Sequence, residues 1–556
     1  LALLFDLFGF LDVVLRFIAL STQALMIGGI AFILLVVLPF KREIGAGFDG
    51  ILRRCQALLR WCAAIAAIGG TVNITINVLL LQASADVPIA EGLTADFVKA
   101  EMVRIAAALL IFMTASGPAL FSVTKRIAWP LLALVLLLAA TMTSHSVSRM
   151  DDRAPLALAD ALHQLGAAVW IGGIPYFVIA LGRTHDAVAW RRVGKRFSVM
   201  SMASVAVLTM AGTVLASVFV GSWQGLYGTS YGVMVVAKAT LLGGLLFLGF
   251  MNFRLVERLR ADPSTPILRL RRYAEVEIGV GLTVFALAAS ITSSPPAIDQ
   301  PYDQVPWSVT WARMQPIWPP RLASPDHDAL AIPALQNKLD AEAKTSEAAP
   351  QHPRAFVPGE GIAPPRLPAD IAWSEYNHHW AGLFVIAIGL LAMLERTGKA
   401  PWARHWPLAF LGLAVFLFIR SDPENWPLGD IGLLESLRDA EVFQHRLIVV
   451  LIIAFGLFEW SVRTGRLTRP WAPLAFPILT AIGAGMLLMH SHNISDVREQ
   501  FLIELTHVPL AVLAVASAWS RWLELRLPAP GNRLPGLIWP ICYVLIGLLL
   551  LNYREA

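Results

Sequence analysis

The chain has 556 residues, 56% of them hydrophobic and only 15% charged, with a formal net charge of +5. That balance excludes a soluble globular enzyme of this size and, with long apolar stretches recurring throughout, describes an all-α polytopic transmembrane bundle. A modest positive charge is what cytoplasmic loops of such a protein carry and calls for no nucleic-acid partner.

Taken in order, the apolar stretches give about fourteen spans, each near the ~20 residues a helix needs to cross a bilayer. They run roughly over 9–39, 54–82, 102–123, 127–145, 156–181, 198–221, 231–257, 274–293, 378–395, 404–420, 443–462, 470–490, 501–523 and 535–552. The first run is long enough to span and lacks a small-residue cleavage site, so no cleavable signal peptide is expected. Cys55, Cys62 and Cys542 form no C-x-x-C pair, so buried thiols are expected rather than a disulfide framework or thiolate site.

Every second loop is basic. Lys41 and Arg42, Lys125 and Arg126, the Arg183–Arg196 segment, the Arg254–Arg272 segment, Arg396 to Arg404, Arg463 to Arg469 and Arg521 to Arg533 alternate with acidic or neutral loops. The positive-inside rule makes the basic set cytoplasmic and both termini extracytoplasmic. Residues 295–376 break the pattern: they are Pro-rich and polar, and read as an extracytoplasmic linker between an eight-span part, 1–294, and a six-span part, 377–556.

The twelve histidines do not scatter. His185 and His405 fall in the basic loops, and His327 and His352 in the linker. The other eight sit at, or one to two turns inside, the outer end of a span, where an ionisable side chain is costly and marks a functional site by default. His145 and His163 converge across one loop, TSHSVSRMDDRAPLALADALH. His378, His379, His445, His490, His492 and His507 form a second group. There Glu441 precedes His445 by four residues and Glu504 precedes His507 by three, which puts carboxylate and imidazole on one helical face. Bundles assemble metal sites from such pairs on facing helices. Met489, one residue before His490, adds a thioether suited to Cu(I), whereas the carboxylates suit Cu(II), zinc or iron. The bland alternative for each is a helix-end hydrogen bond. Arg104, Asn73, Asn77, Lys238, Glu277 and Glu459 are further polar groups within spans, expected mostly as interhelical glue.

No Walker loop, dinucleotide fingerprint or phosphorylation-type aspartate motif is present, so nothing predicts ATP hydrolysis. The pieces TSHS at 143–146, ALHQLGAAVWIGG at 161–173, KRFSVMSMASVAVLTMAGTVLA at 195–216, GTSYGVMVVAKATLLGGLLFLG at 228–249 and YAEVEIGVGLTVFALAASITSSPPA at 273–297, with TQALMIGGIAF near the start, occur in order and at consistent distances. Through them, residues 10–297 resemble the copper resistance protein D (CopD) family of bacterial inner-membrane proteins. The resemblance implies that His145 and His163 are that family's extracytoplasmic histidines, proposed to handle copper, and that Trp170, Gly172, Gly173, Tyr231, Gly232 and Lys238 fall on family-typical positions. Residues 378–556 carry no placed motif and no fused copper-binding β-sandwich.

The reading is therefore a copper-handling inner-membrane protein, not an enzyme, that binds Cu(I) or Cu(II) through histidines on the periplasmic side and moves it across or into the membrane. Its partners are the lipid bilayer and the copper ion, with a periplasmic copper-binding protein as a candidate. The alternatives are a b-type cytochrome with haem b on the outer histidines, or a metal-dependent membrane oxidoreductase or accessory subunit using the His/Glu cluster.

Overall fold

In a computed structural model, residues 2–116, 123–149, 152–183, 187–262, 265–316, 318–325, 368–422, 425–429, 431–437, 440–489 and 497–555 are described. The long helices are α1 (Ala2–Phe32), α2 (Phe48–Ala85), α3 (Asp96–Ala115), α4 (Val123–Thr141), α5 (Arg153–Trp170), α6 (Ile174–Leu181), α7 (Ala187–Val220), α8 (Ser230–Ala261), α9 (Leu268–Ser293), α10 (Pro368–Arg396), α11 (Ala409–Arg420), α12 (Ala440–Arg463), α13 (Ala475–Met489), α14 (Val497–Arg526) and α15 (Arg533–Leu551). Among the described residues there is no β-strand, and thirteen helical stretches are long and apolar enough to cross a membrane. The protein is an all-α polytopic bundle. The third expected span is the 20-residue α3, which ends at Ala115 before a stretch outside the described residues. The segment expected as a linker contributes a short helix, Trp307–Met314, and α10 begins at Pro368, ten residues before His378.

The chain divides into two compact units: Phe10–Gly225 with Lys238–Gln300, and Leu226–Ala237 with Pro301–Ala556 and the first nine residues. In the first, backbones touch where side chains vanish. A Cβ added at Gly172 would run into the Ala24 carbonyl, and one at Gly28 would lie 2.6 Å from the Gly173 nitrogen. The motifs TQALMIGG and AVWIGG are thus two halves of one helix crossing, which small residues allow when lipid offers no hydrophobic drive for association. The π-helical turn Ile33–Val37 ends the first crossing.

In the second unit, α10 packs on α15, α14 on both α13 and α15, and α11 on α12. Its core is aromatic: Trp406, Phe410, Phe476, Trp539 and Tyr543 pack with Ile388, and Trp406 meets Phe476 edge-on at 5.6 Å between centroids. One end of this core is closed by charge. Arg463 bridges Glu459 at 2.7 Å and Glu395 at 2.9 Å, Arg521 binds Glu524 at 2.5 Å, and Arg396 also binds Glu524. Trp406 donates to Glu395 and Trp539 to Glu524. Glu459 is therefore an ion-pair partner, and Asn77 bonds Asn73 on its own helix rather than a neighbour. All three cysteines are buried and free.

Candidate metal-handling sites

In the Phe10–Gly225 unit, His145 opens a one-turn helix just beyond α4. Its ring bonds the Thr292 carbonyl at the end of α9, which also accepts from Arg16 at 3.3 Å. Arg16 in turn pairs with Asp12 at 2.7 Å, and Ser293 donates to the same carboxylate at 3.3 Å. TSHS and ITSSPP are thus one contact surface. Burial first, and the Arg16 guanidinium second, hold the His145 imidazole below its ordinary range, so at neutral pH it carries a lone pair and no charge.

His163 lies nearly three turns along α5. Its Nδ1 lies 3.1 Å from the Leu208 carbonyl, and its Nε2 lies 3.4 Å from Lys238 Nζ. A carbonyl only accepts, so Nδ1 carries the proton and Nε2 holds the lone pair that faces the ammonium. Gly212 makes room for the ring: a Cβ there would sit 2.9 Å from two of its atoms. One turn earlier on α5, Asp160 accepts from Gln164 at 3.0 Å and lies in the electrostatic field of both Lys238 and His145. Gln164 accepts from Gln23 at 3.1 Å, Gln23 from Arg104 at 3.3 Å, and Arg104 pairs with Glu101 at 2.7 Å. What joins the two histidines is this acid and this lysine; His163 meets Leu208 and Lys238, and His145 meets Thr292. Sequence reasoning named Lys238 and Arg104 but missed Asp160, whose signal was its place three residues before His163. Met210 and Met142 are 72% and 58% exposed, which suits lipid-facing residues rather than ligands.

In the Pro301–Ala556 unit, His378 on α10 and His507 on α14 come together with ring centroids 6.4 Å apart and planes at 84°. Each directs Nδ1 at a carbonyl of its own helix one turn back, Ser374 at 2.8 Å and Ile503 at 2.9 Å. In the neutral ring each therefore has its proton on Nδ1 and its lone pair on Nε2. Tyr553 stacks on His378 at 3.8 Å, and its hydroxyl donates to Glu555 at 2.9 Å. With metal–nitrogen bonds of about 2.0–2.1 Å, a centroid separation of 6.4 Å corresponds to two nitrogens lying nearly opposite each other across one ion.

His379, 1% exposed, has both nitrogens engaged: Nδ1 accepts from the Arg321 amide at 2.8 Å and Nε2 donates to the Tyr553 carbonyl at 2.9 Å. His445 meets Asp422 at 2.7 Å through Nδ1, the carboxylate–imidazole contact that also orients metal-bound histidines. Glu504 and Met489 are buried. His185, His327, His352, His490 and His492 lie outside the described residues, as does the side chain of Glu441. His405 accepts from Trp460 at 2.8 Å. Among the described residues no group of three or more His, Cys, Asp or Glu side chains is arranged to hold a metal ion.

Comparison with known proteins places residues 191–291 on the family model "Copper resistance protein D". The resemblance read from the motifs thus holds over α7 to α9, a stretch that contains Lys238 and Glu277. A curated relative, the "Copper transport protein CutJ" of Bacillus subtilis (strain 168), is 29% identical over 164 residues, which cover 29% of this chain and 29% of that protein. The chain thus matches under a third of its relative's length. No solved structure matches.

Proposed function

We propose that this chain is a copper-handling protein of the bacterial inner membrane, which takes the ion from the periplasmic side and carries it across or into the bilayer. The observation that carries the reading is the His378–His507 pair, two imidazoles from different helices whose 6.4 Å centroid separation an ion between opposed nitrogens would span. The likeness of residues 191–291 to the copper resistance protein D family supports copper as the ion. Imidazole takes either copper oxidation state; Glu504 shares α14 with His507, and Met489 closes α13, which packs on α14.

In the other unit, Lys238 stands against the lone pair that a metal would use. Here the copper ion replaces a resident ammonium: Lys238 swings off His163 Nε2 as the metal arrives, and Asp160 balances the charge of whichever cation is present. His145 contributes a lone pair at the entrance, and a periplasmic copper-binding protein is the donor on that side.

Elemental analysis of purified protein, with a visible spectrum on the same sample, tests the reading. Bound copper without a Soret band is expected. His378→Ala and His507→Ala are each expected to lower copper per chain at least twofold while folded yield is kept. Unchanged copper in both variants, or a Soret band with stoichiometric iron, would overturn it.

A further inference from the structure

Between α5, α6, α7, α8 and α9 lies a cavity of about 440 Å³ that the copper reading does not use. That size is ordinary for a small organic ligand and far larger than a bare ion needs. Its walls are aromatic, with Trp170, Phe177, Phe197, Phe250 and Phe253 all facing it. At one place the lining turns polar. Glu277, 4% exposed, accepts from Asn252 Nδ2 at 2.7 Å. No ion pair to Glu277 forms among the described residues: its neighbours Arg271 and Arg272 are taken by Glu275, at 3.5 Å in the case of Arg271. Arg254 turns its guanidinium to the Phe250 ring, 5.8 Å away. Asn252 Oδ1 and Ser201 Oγ are buried with no hydrogen-bond partner, and both residues line the cavity.

A buried acid and two unmatched oxygens at the edge of an aromatic cage want the same occupant. It must donate hydrogen bonds, to Asn252 Oδ1 and Ser201 Oγ. Positive charge on it would keep Glu277 ionised, since a carboxylate out of water is costly until it is paired. It must offer apolar surface to rings whose faces also attract cations. We propose that this cavity binds a lipophilic organic ammonium, with its nitrogen at Glu277 and its apolar body among Trp170, Phe197 and Phe250. A phenol or alcohol of the same shape would satisfy the oxygens but not the charge.

The test is calorimetric titration of the full-length protein in a non-ionic detergent with 4-phenylbutylammonium and with its neutral isostere 4-phenylbutanol. The ammonium is expected to bind at least tenfold tighter. Glu277→Gln should erase that preference. Gly249→Leu should abolish binding of both compounds by filling the space beside Trp170 and Glu277, whose nearest atoms lie 3.8 and 4.0 Å from an added Cβ. If the natural ligand is an ethanolamine lipid headgroup, vesicles containing that lipid will compete with the probe; if it is a free amine they will not. Equal affinity for the two compounds, no binding of the ammonium to folded protein, or a charge preference that survives Glu277→Gln would each overturn the proposal.

Discussion

At the scale of single residues, histidines that look alike in the sequence divide by which nitrogen is left over. His379 spends both on backbone groups while almost wholly buried. His379→Ala is expected to strand the Arg321 amide and the Tyr553 carbonyl at a cost on the order of 2 kcal/mol, read as a lower Tm in detergent. A change in copper content with no change in Tm would make it a ligand instead. His145 adds a pH dependence. Its folded pKa is held down by burial and by Arg16, while in the unfolded chain it returns to about 6.5. The unfolded state therefore binds the extra proton as pH falls below that value, so this contribution to stability is present above about 6.5 and lost on acidification. Thermal stability measured from pH 8 to pH 5 should fall, and His145→Gln should flatten the slope. An identical slope in the variant would show that the titration belongs elsewhere. The spacing that offers Glu441 to His445 does not reveal that the His445 ring also meets Asp422, twenty-three residues away. A partner across a turn of helix is legible in a sequence, whereas one brought by tertiary packing is not.

At the scale of elements, hydropathy made the spans legible because a helix that satisfies its own backbone is the one open structure lipid tolerates. What hydropathy does not carry is which faces meet. The glycines of IGG at 27–29 and 171–173 read only as family-typical letters until the structure puts α1 against the end of α5. Gly172→Ala forces the Ala24 carbonyl aside, and overpacking of this kind costs about 1–3 kcal/mol. A fall in Tm is expected, whereas Gly483→Ala, where an added Cβ meets nothing within 4 Å, should change little. Equal effects would mean that the crossing gives way freely. The same limit hid the charged closure of the second unit's core: Glu395, Arg463, Glu459, Arg396, Glu524 and Arg521 are scattered over three helices, and only their pairing explains how apolar spans tolerate them.

At the scale of the whole molecule, directional transport requires that the histidine-bearing ends face one side, and the arrangement of charge predicts which. The loops at Thr397, Thr464 and Leu527 join helix ends rich in arginine and lysine, whereas those at Ser222 and Asp422 do not. Lys and Arg in short loops are retained on the cytoplasmic side during insertion, so His145, His378 and His507, near the opposite ends, are predicted to face the periplasm. The three native cysteines are buried, which leaves a low background for single-cysteine labelling. Ser222 and Thr397 are both exposed and lie in loops of opposite character. Ser222→Cys is expected to react with a membrane-impermeant maleimide added to intact spheroplasts, and Thr397→Cys only after permeabilisation. The reverse pattern would turn the histidine-rich ends toward the cytoplasm. Copper would then be collected from the cell interior, and the same His378–His507 pair would serve export rather than uptake.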